Sequence, residues 1–350
     1  MIHSDDLKIP TKIIGPIKIK GLNFDDSFEE VMVPLSSFEQ PLWNSVQRGA
    51  LISQLLPNAI ETFVIEDSMT RSIILETDSA KESIKVKLNI ENDLEYFNNL
   101  ISNHSKNTQL KSWHTELVGN LIYIRFKFFT KEASGHNMST YAAQIILDDL
   151  LKRYKHLKYI SISGNICTDK KNSAINGIIG RGKYIIAQIS LPQNICKKYL
   201  RSDIYKIYDI NVKKNLLGSI LSGGVRTANA HFANMLLAFY LSTGQDAANI
   251  VEGSQGFVHV DIKEEYMHFS VTLPNVIIGT IGNGKNNDLV KKNLALMGID
   301  PLKENSAKKL AMIVGSVVLC GELSLLAAQT NRGELLRSHT ALERKKIFNG

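Results

Sequence analysis

Residues 162–183 read ISGNICTDKKNSAINGIIGRGK. The stretch leaves a β-rich run at 159–163 and is rich in Gly, Asn and Ser, so it reads as a loop closing one structural unit and opening another. Two adjacent ammoniums, Lys170 and Lys171, follow Asp169, while Ser163 and Asn165 offer neutral hydrogen bonds. Such a set holds a carboxylate or polarises a carbonyl, although DKKN alone also fits a solvated turn. Within it, GIIGRGKY (177–184) has the GxxxxGK spacing of a phosphate-binding loop. Tyr184 stands where that loop needs a magnesium-holding Ser or Thr, and no apolar strand precedes it. A nucleoside-triphosphate site is therefore set aside.

Working outward towards the N-terminus, residues 138–154 predict an amphipathic helix and 159–163 a strand. Before them, 117–129, with the alternation LIYIRFKFF, predicts one long strand. Residues 93–101 predict a helix, and the runs 62–65, 72–75 and 84–88 predict strands. Strand, helix, strand, strand, helix, strand is a small two-layer unit of the split βαβ kind over 72–162. Residues 40–56 predict a helix stopped before Pro57, and Pro10, Pro16 and Pro34 keep the first 35 residues to strand and loop. Towards the C-terminus, 225–241 predicts one helix, 246–250 the opening of another, 257–273 a hairpin and 304–329 one long helix. The expected fold is α+β. A large mixed domain (1–71 with 163–350) surrounds a long central helix, and a small ferredoxin-like unit (72–162) is inserted in it.

Composition bounds the function. The 350 residues are 44% hydrophobic and 21% charged, as in an ordinary globular protein with a sizeable core. Three scattered cysteines, Cys167, Cys196 and Cys320, exclude a disulfide scaffold and fit a reducing, cytoplasmic compartment. None has a histidine at zinc-ligand spacing and HExxH is absent, so no metal site is expected. The net charge of +7 and pI near 9.1 point to anionic partners. The basic residues are scattered and not interleaved with aromatics, which speaks against nucleic acid. Residues 1–6 do not open a signal peptide. The apolar run 311–328 is long enough to imitate a membrane span, but Glu322 near its middle argues for a buried helix.

Several pieces share one family's order. The loop resembles the signature SGNxCTDKKxxAINxxxGRGK of 3-hydroxy-3-methylglutaryl-CoA (HMG-CoA) reductases. PLSSFEQ (34–40) resembles PxxTTE, with Glu39 at the acidic position, and SMTR (68–71) resembles GMTR. GGVRTANAHFAN (223–234) and STGQDAANIVE (242–252) are similar to GxxGxxNAHAAN and xxGQDxAQxVE, and SH (338–339) to SHM. The GQD and NICTDKK forms are those of the eukaryote-and-archaea, NADPH-using class. The resemblance runs from about residue 10 to 345.

It implies reduction of a thioester to an alcohol, giving mevalonate and CoA with two NADPH, NADH being the less expected donor. Lys170 matches the lysine that stabilises the oxyanion, and His339 the histidine that protonates the departing thiolate. Glu39 matches the general acid, which burial or a like charge must keep protonated, and Asp246 the carboxylate linking it to the lysine. Ser45 and Arg48 would lie near CoA. Arg71, Ser163, Asn165, Asp169, Lys171, Lys214, His231 and Asn234 would hold the HMG part. EASGHNM (132–138) resembles DAMGMNM at a helix start, a ready phosphate site. For the cofactor this implicates Glu132, Ser134, Gly135, His136 and Asn137, with Ser105 and Lys106 for a 2′-phosphate and Gln245, Gly282 and Gly284 beside them.

The sequence also departs from the family. GTIGNGKN (279–286) replaces GTVGGGT, Ser134 and His136 replace methionines, TKIIG (11–15) replaces the subunit-contact motif ENVIG, and Lys345 replaces a regulatory serine. The resemblance implies a homodimer or larger assembly with the site between subunits and a tail bearing His339 that opens as a flap; the membrane anchor found in the family is not expected here. Two alternatives stand: a relative with altered acyl-CoA or NADH preference, and a basic, non-catalytic anion-binding protein.

Overall fold

The computed structural model describes residues 7–341, the side chain of His339 excepted. β1 (Thr11–Lys20) and β2 (Phe28–Ser36) pair antiparallel, with their inward residues buried. Pro41 then sits at the start of α1 (Gln40–Leu55), where its missing N–H costs nothing. β3 (Ile60–Glu76) is 17 residues long and belongs to two sheets. Residues 61–68 pair with β7 (Gly182–Pro192), and 69–76 pair with β5 (Leu121–Phe129) and, on the other edge, with β6 (Lys158–Ile162).

Between the halves of this frame lies the small unit. It contains α2 (Ala80–Ile90), α3 (Leu94–Ser102), β4 (Gln109–Val118), β5, α4 (His136–Arg153) and β6, with strand order β4-β5-β3-β6. It has its own apolar core, including Ile73, Phe97, Phe126, Phe128 and Ile146. Two expectations fail here. Residues 84–88 are helical: Ser79 accepts the Glu82 N–H as a cap, and Ser83, Val86 and Ile90 make the buried stripe. The alternation in IKVKL is real but places Ile84 and Leu88 in solvent. The run 117–129 is one strand only from Leu121, because Gly119 (φ +60°) turns the chain between β4 and β5.

The large sheet runs β2-β1-β3-β7-β10-β9-β8, with β8 (Thr227–Ala228), β9 (Gly256–Lys263) and β10 (Tyr266–Val276). α5 (Ala174–Ile179) precedes β7. The helix expected over 225–241 begins only at Phe232, as α6 (Phe232–Ser242). The cause is tertiary. Arg226 takes a positive φ, and the Ala230 and His231 N–H groups donate to Glu322 rather than up a helix. α7 (Ser306–Gln329) is the long central helix, buried over nearly its whole length and packed on β3, β7 and β10. It is long and apolar enough to span a membrane, yet its apolar surface is spent inside the molecule. α1 crosses it so closely that a Cβ on Gly49 would lie 2.3 Å from the Cys320 carbonyl oxygen. The chain ends, within the described residues, near α8 (Glu334–His339).

Candidate active site

The loop after β6 carries four non-glycine residues at positive φ: Ser163 (83°), Asn165 (58°), Thr168 (50°) and Lys170 (55°). Each such conformation costs about 1–3 kcal/mol, so the surroundings must enforce it. Ser72 Oγ accepts the Gly164 and Cys167 N–H groups at 2.8 and 3.2 Å, and Asn176 Nδ2 donates to the Thr168 carbonyl at 3.0 Å. Held this way, Lys170 places Nζ 2.7 Å from Asp246 Oδ2. Asp246 also accepts the Ala248 N–H at 3.0 Å, so it is both N-cap and ion-pair partner. The Lys170 ammonium holds the Asp246 carboxyl below its ordinary range, and the carboxylate raises the lysine. Both side chains remain nearly half exposed (42% and 47%). Asp169 pairs with the buried Arg181 at 2.7 Å, Lys171 Nζ folds back onto the Asp169 carbonyl, and Arg71 Nε donates to Thr140 Oγ1. Asn165 is exposed and Ser163 Oγ lies against Cys167 Sγ. The GRGK of the decoy motif is spent internally: Lys183, buried, pairs with Asp67 at 3.1 Å.

A second group surrounds a pocket of about 570 Å³ lined by Glu39, Ser45, Arg48, His231, Asn234 and Glu334. Glu39 occupies the N-cap position of α1 but makes no cap bond; its Oε2 accepts from Asn234 Nδ2 at 2.9 Å. His231 Nδ1 donates to Glu322 Oε1 at 2.8 Å, an oriented imidazole that leaves Nε2 for a ligand. Glu322 is fully buried in α7 and takes two further N–H groups, from Ala230 and His231. Lys214 lies near it, its pKa lowered by burial against the opposing pull of Glu322. Arg48 donates to Ser324 and pairs with Glu334 of α8 at 2.9 Å. Leu335 and Ser338 of α8 complete that wall. His339 falls in the last turn of α8, and its side chain, like residues 1–6 and Lys345, lies outside the described residues. No described bond joins the Glu39–Asn234 pair to the Lys170–Asp246 pair.

The segments expected to meet the cofactor come together around two close backbone approaches. A Cβ on Gly279 would lie 2.4 Å from the Ser134 nitrogen, and one on Gly244 would lie 2.4 Å from the Gly284 oxygen. Gln245 bonds both the N–H and the carbonyl of Gly279. Gly282 takes a positive φ with open space where a side chain would be. α4 starts at Gly135 (φ +90°) without a side-chain cap or an acidic residue in its first turn. Its leading N–H groups, from His136 and Asn137, suit an anionic phosphate. Burial, then Arg181, lowers the pKa of His136, whose Nε2 is 3.7 Å from Asp169. Lys285, 8% exposed, donates to the Gly244 carbonyl, and burial pulls its pKa down to about 8. Two positions stand apart. The Glu132 carboxylate is occupied in capping α7, through Asn305 N, Ser306 Oγ and Ala307 N. Ser105 and Lys106 lie in the loop between α3 and β4, with Ser105 bonded to Thr108.

Sequence reading missed Glu322, Glu252, Arg181 and Glu334 as parts of the site. Glu322 carried a signal: a carboxylate in an apolar helix must find buried donors.

Fold and site together define an α+β protein with a lysine–aspartate ion pair on a strained loop and a pocket that carries Glu39, Arg48 and His231. The family model described as hydroxymethylglutaryl-coenzyme A reductase matches residues 5–344. The chain is 37% identical over 343 residues to the 3-hydroxy-3-methylglutaryl-coenzyme A reductase of Aeropyrum pernix, covering 97% of this chain and 80% of that one. It is 38% identical to the enzyme of the same name from Methanocaldococcus jannaschii, covering 97% and 83%. Among solved structures, the class II reductase of Streptococcus pneumoniae, bound to NADPH in open conformations, superposes with a TM-score of 0.73 at 16% identity, over 94% of this chain and 86% of that one. The chain belongs to the hydroxymethylglutaryl-coenzyme A reductase family. It is therefore an enzyme, and the non-catalytic alternative is set aside.

Proposed function

We propose that this chain reduces HMG-CoA to mevalonate and CoA with two NADPH, working as a homodimer in the cytoplasm. The ion pair between Lys170 Nζ and Asp246 Oδ2 at 2.7 Å carries the reading. NADPH, when bound, supplies the two hydrides. Lys170 stabilises the oxyanion that forms on the thioester carbon, and Asp246 keeps that ammonium charged and aimed. His339 gives a proton to the CoA thiolate released when the hemithioacetal collapses to the aldehyde. Glu39, held by Asn234, protonates the alkoxide left by the second reduction.

Arg71, Ser163, Asn165, Asp169, Lys171, Lys214, His231 and Asn234 bind the HMG carboxylate and hydroxyl, and Ser45 with Arg48 face CoA. The α4 start, with Ser134, Gly135, His136, Asn137, Gln245, Gly282 and Gly284, holds the dinucleotide. The insertion 72–162 acts as the cofactor domain within 1–71 and 163–350. A half-exposed lysine stabilises an oxyanion poorly in water, which supports covering by a second subunit.

Product analysis tests this: mevalonate and free CoA should appear, two NADPH being consumed per mevalonate. Lys285, where the family has threonine, favours one second reading, altered nicotinamide or acyl-CoA preference. Faster turnover with NADH or another acyl-CoA would establish it and displace the first.

A further inference from the structure

Glu252 is 0% exposed yet touches the lysine loop. Its Oε1 accepts the Lys170 N–H at 3.1 Å, Asn249 Nδ2 at 3.0 Å and Arg181 Nε at 3.4 Å. Its Oε2 is buried and meets no donor among the described residues. Arg181, 1% exposed, reaches from Glu252 to Asp169 and donates to the Thr70 carbonyl at 2.7 Å. Asp169 and Lys170 are thus fastened, one by its side chain and the other by its backbone, to a single buried pair. A buried carboxylate with one oxygen unpartnered is a poor way to gain stability, since desolvation offsets the attraction. Its geometric effect is specific: the N–H it accepts belongs to a residue at φ +55°, and that peptide sets where the lysine side chain points.

We propose that Glu252 is a positioning residue for Lys170, fixing the strained turn through the backbone and favouring the charged ammonium through its own charge. The groups facing Lys170 are Asp246, Asp169 and Glu252, with His136 and Arg181 nearby, and Asp246 dominates in raising the lysine's pKa. Burial raises Glu252's own pKa, partly offset by Arg181 and the Lys170 N–H. The kinetic arm of this proposal rests on the role given to Lys170 above.

Wild type, E252Q and E252D decide it. E252Q is isosteric and keeps an acceptor for the Lys170 N–H. It should lower kcat for HMG-CoA on the order of tenfold with KM within about twofold, and move the alkaline fall of kcat to lower pH. E252D keeps the charge one methylene short; kcat should fall while the alkaline limb stays where the wild type has it. Independently of turnover, pH-dependent acetylation of Lys170, read by mass spectrometry, should show a lower midpoint in E252Q. Wild-type kcat and labelling midpoint in folded E252Q would overturn the proposal. If E252Q does not fold, unchanged kcat in E252D overturns it. A wild type without HMG-CoA turnover contradicts the function proposed above, and the labelling midpoints still decide the role of Glu252.

Discussion

The two halves of the site are built in opposite ways. In the pocket half the side chains are fixed from within: Glu322, wholly buried, locks His231, and Asn234 holds Glu39. The lysine half is strained and open, with four residues at positive φ and an ion pair nearly half in solvent. Binding needs a preformed shape, so its side chains are fixed by the core helix. Oxyanion stabilisation needs low dielectric only at the moment of reaction. Under the proposed function its groups stay open until ligand covers them.

Predictions follow from that contrast, the largest first. Glu322→Ala strips the acceptor from three N–H groups, one a histidine ring, in the apolar interior. It should cost about 3–5 kcal/mol in denaturant unfolding; a loss below about 1 kcal/mol would break the claim that the pocket half is prebuilt. Asp246→Asn acts in the open half, and kcat should fall about a hundredfold while the melting temperature near neutral pH drops by no more than about 3 °C.

The same variant has a pH signature. Asp246 is held below its ordinary 3.8, so its contribution to stability is present above about pH 4 and is lost as pH falls through the lowered value. Lys170 is raised above 10.5, so its share is present below that pH and is lost as pH rises further. Asp246→Asn should flatten both edges of the stability profile, measured by thermal melts from pH 3 to about 11.

The smallest effect concerns the seam between pocket and tail. Arg48–Glu334 is a single partly exposed pair, so Glu334→Gln should change stability by about 1 kcal/mol or less. Its informative readout is KM for the CoA thioester, which should fall if Arg48 is freed for the ligand.

Legibility followed whether a signal was local. Residues 40–55 and the central helix announce themselves by periodicity and apolarity, the first also by its stop before Pro57, and they are helices. At 84–88 an alternating pattern competed with the Ser79–Glu82 cap, and the cap prevailed. At 225–231 apolar periodicity failed because Glu322, nearly a hundred residues away, claims the N–H groups a helix would have used. The residues of the lysine loop could be named from their order along the chain. Glu252 and Arg181 stand within the matched motifs too, but their part in holding the loop could not be read there, because burial is a property of the fold and not of neighbours in sequence.

The proposed reaction turns on Lys170 stabilising the oxyanion formed when HMG-CoA is reduced. NADPH oxidation at 340 nm, with and without HMG-CoA, compared between wild type and Lys170→Ala, tests it most directly. The wild type should show HMG-CoA-dependent oxidation, and the folded variant a loss on the order of a thousandfold, about 4 kcal/mol of transition-state stabilisation. Turnover surviving the substitution within tenfold would contradict it.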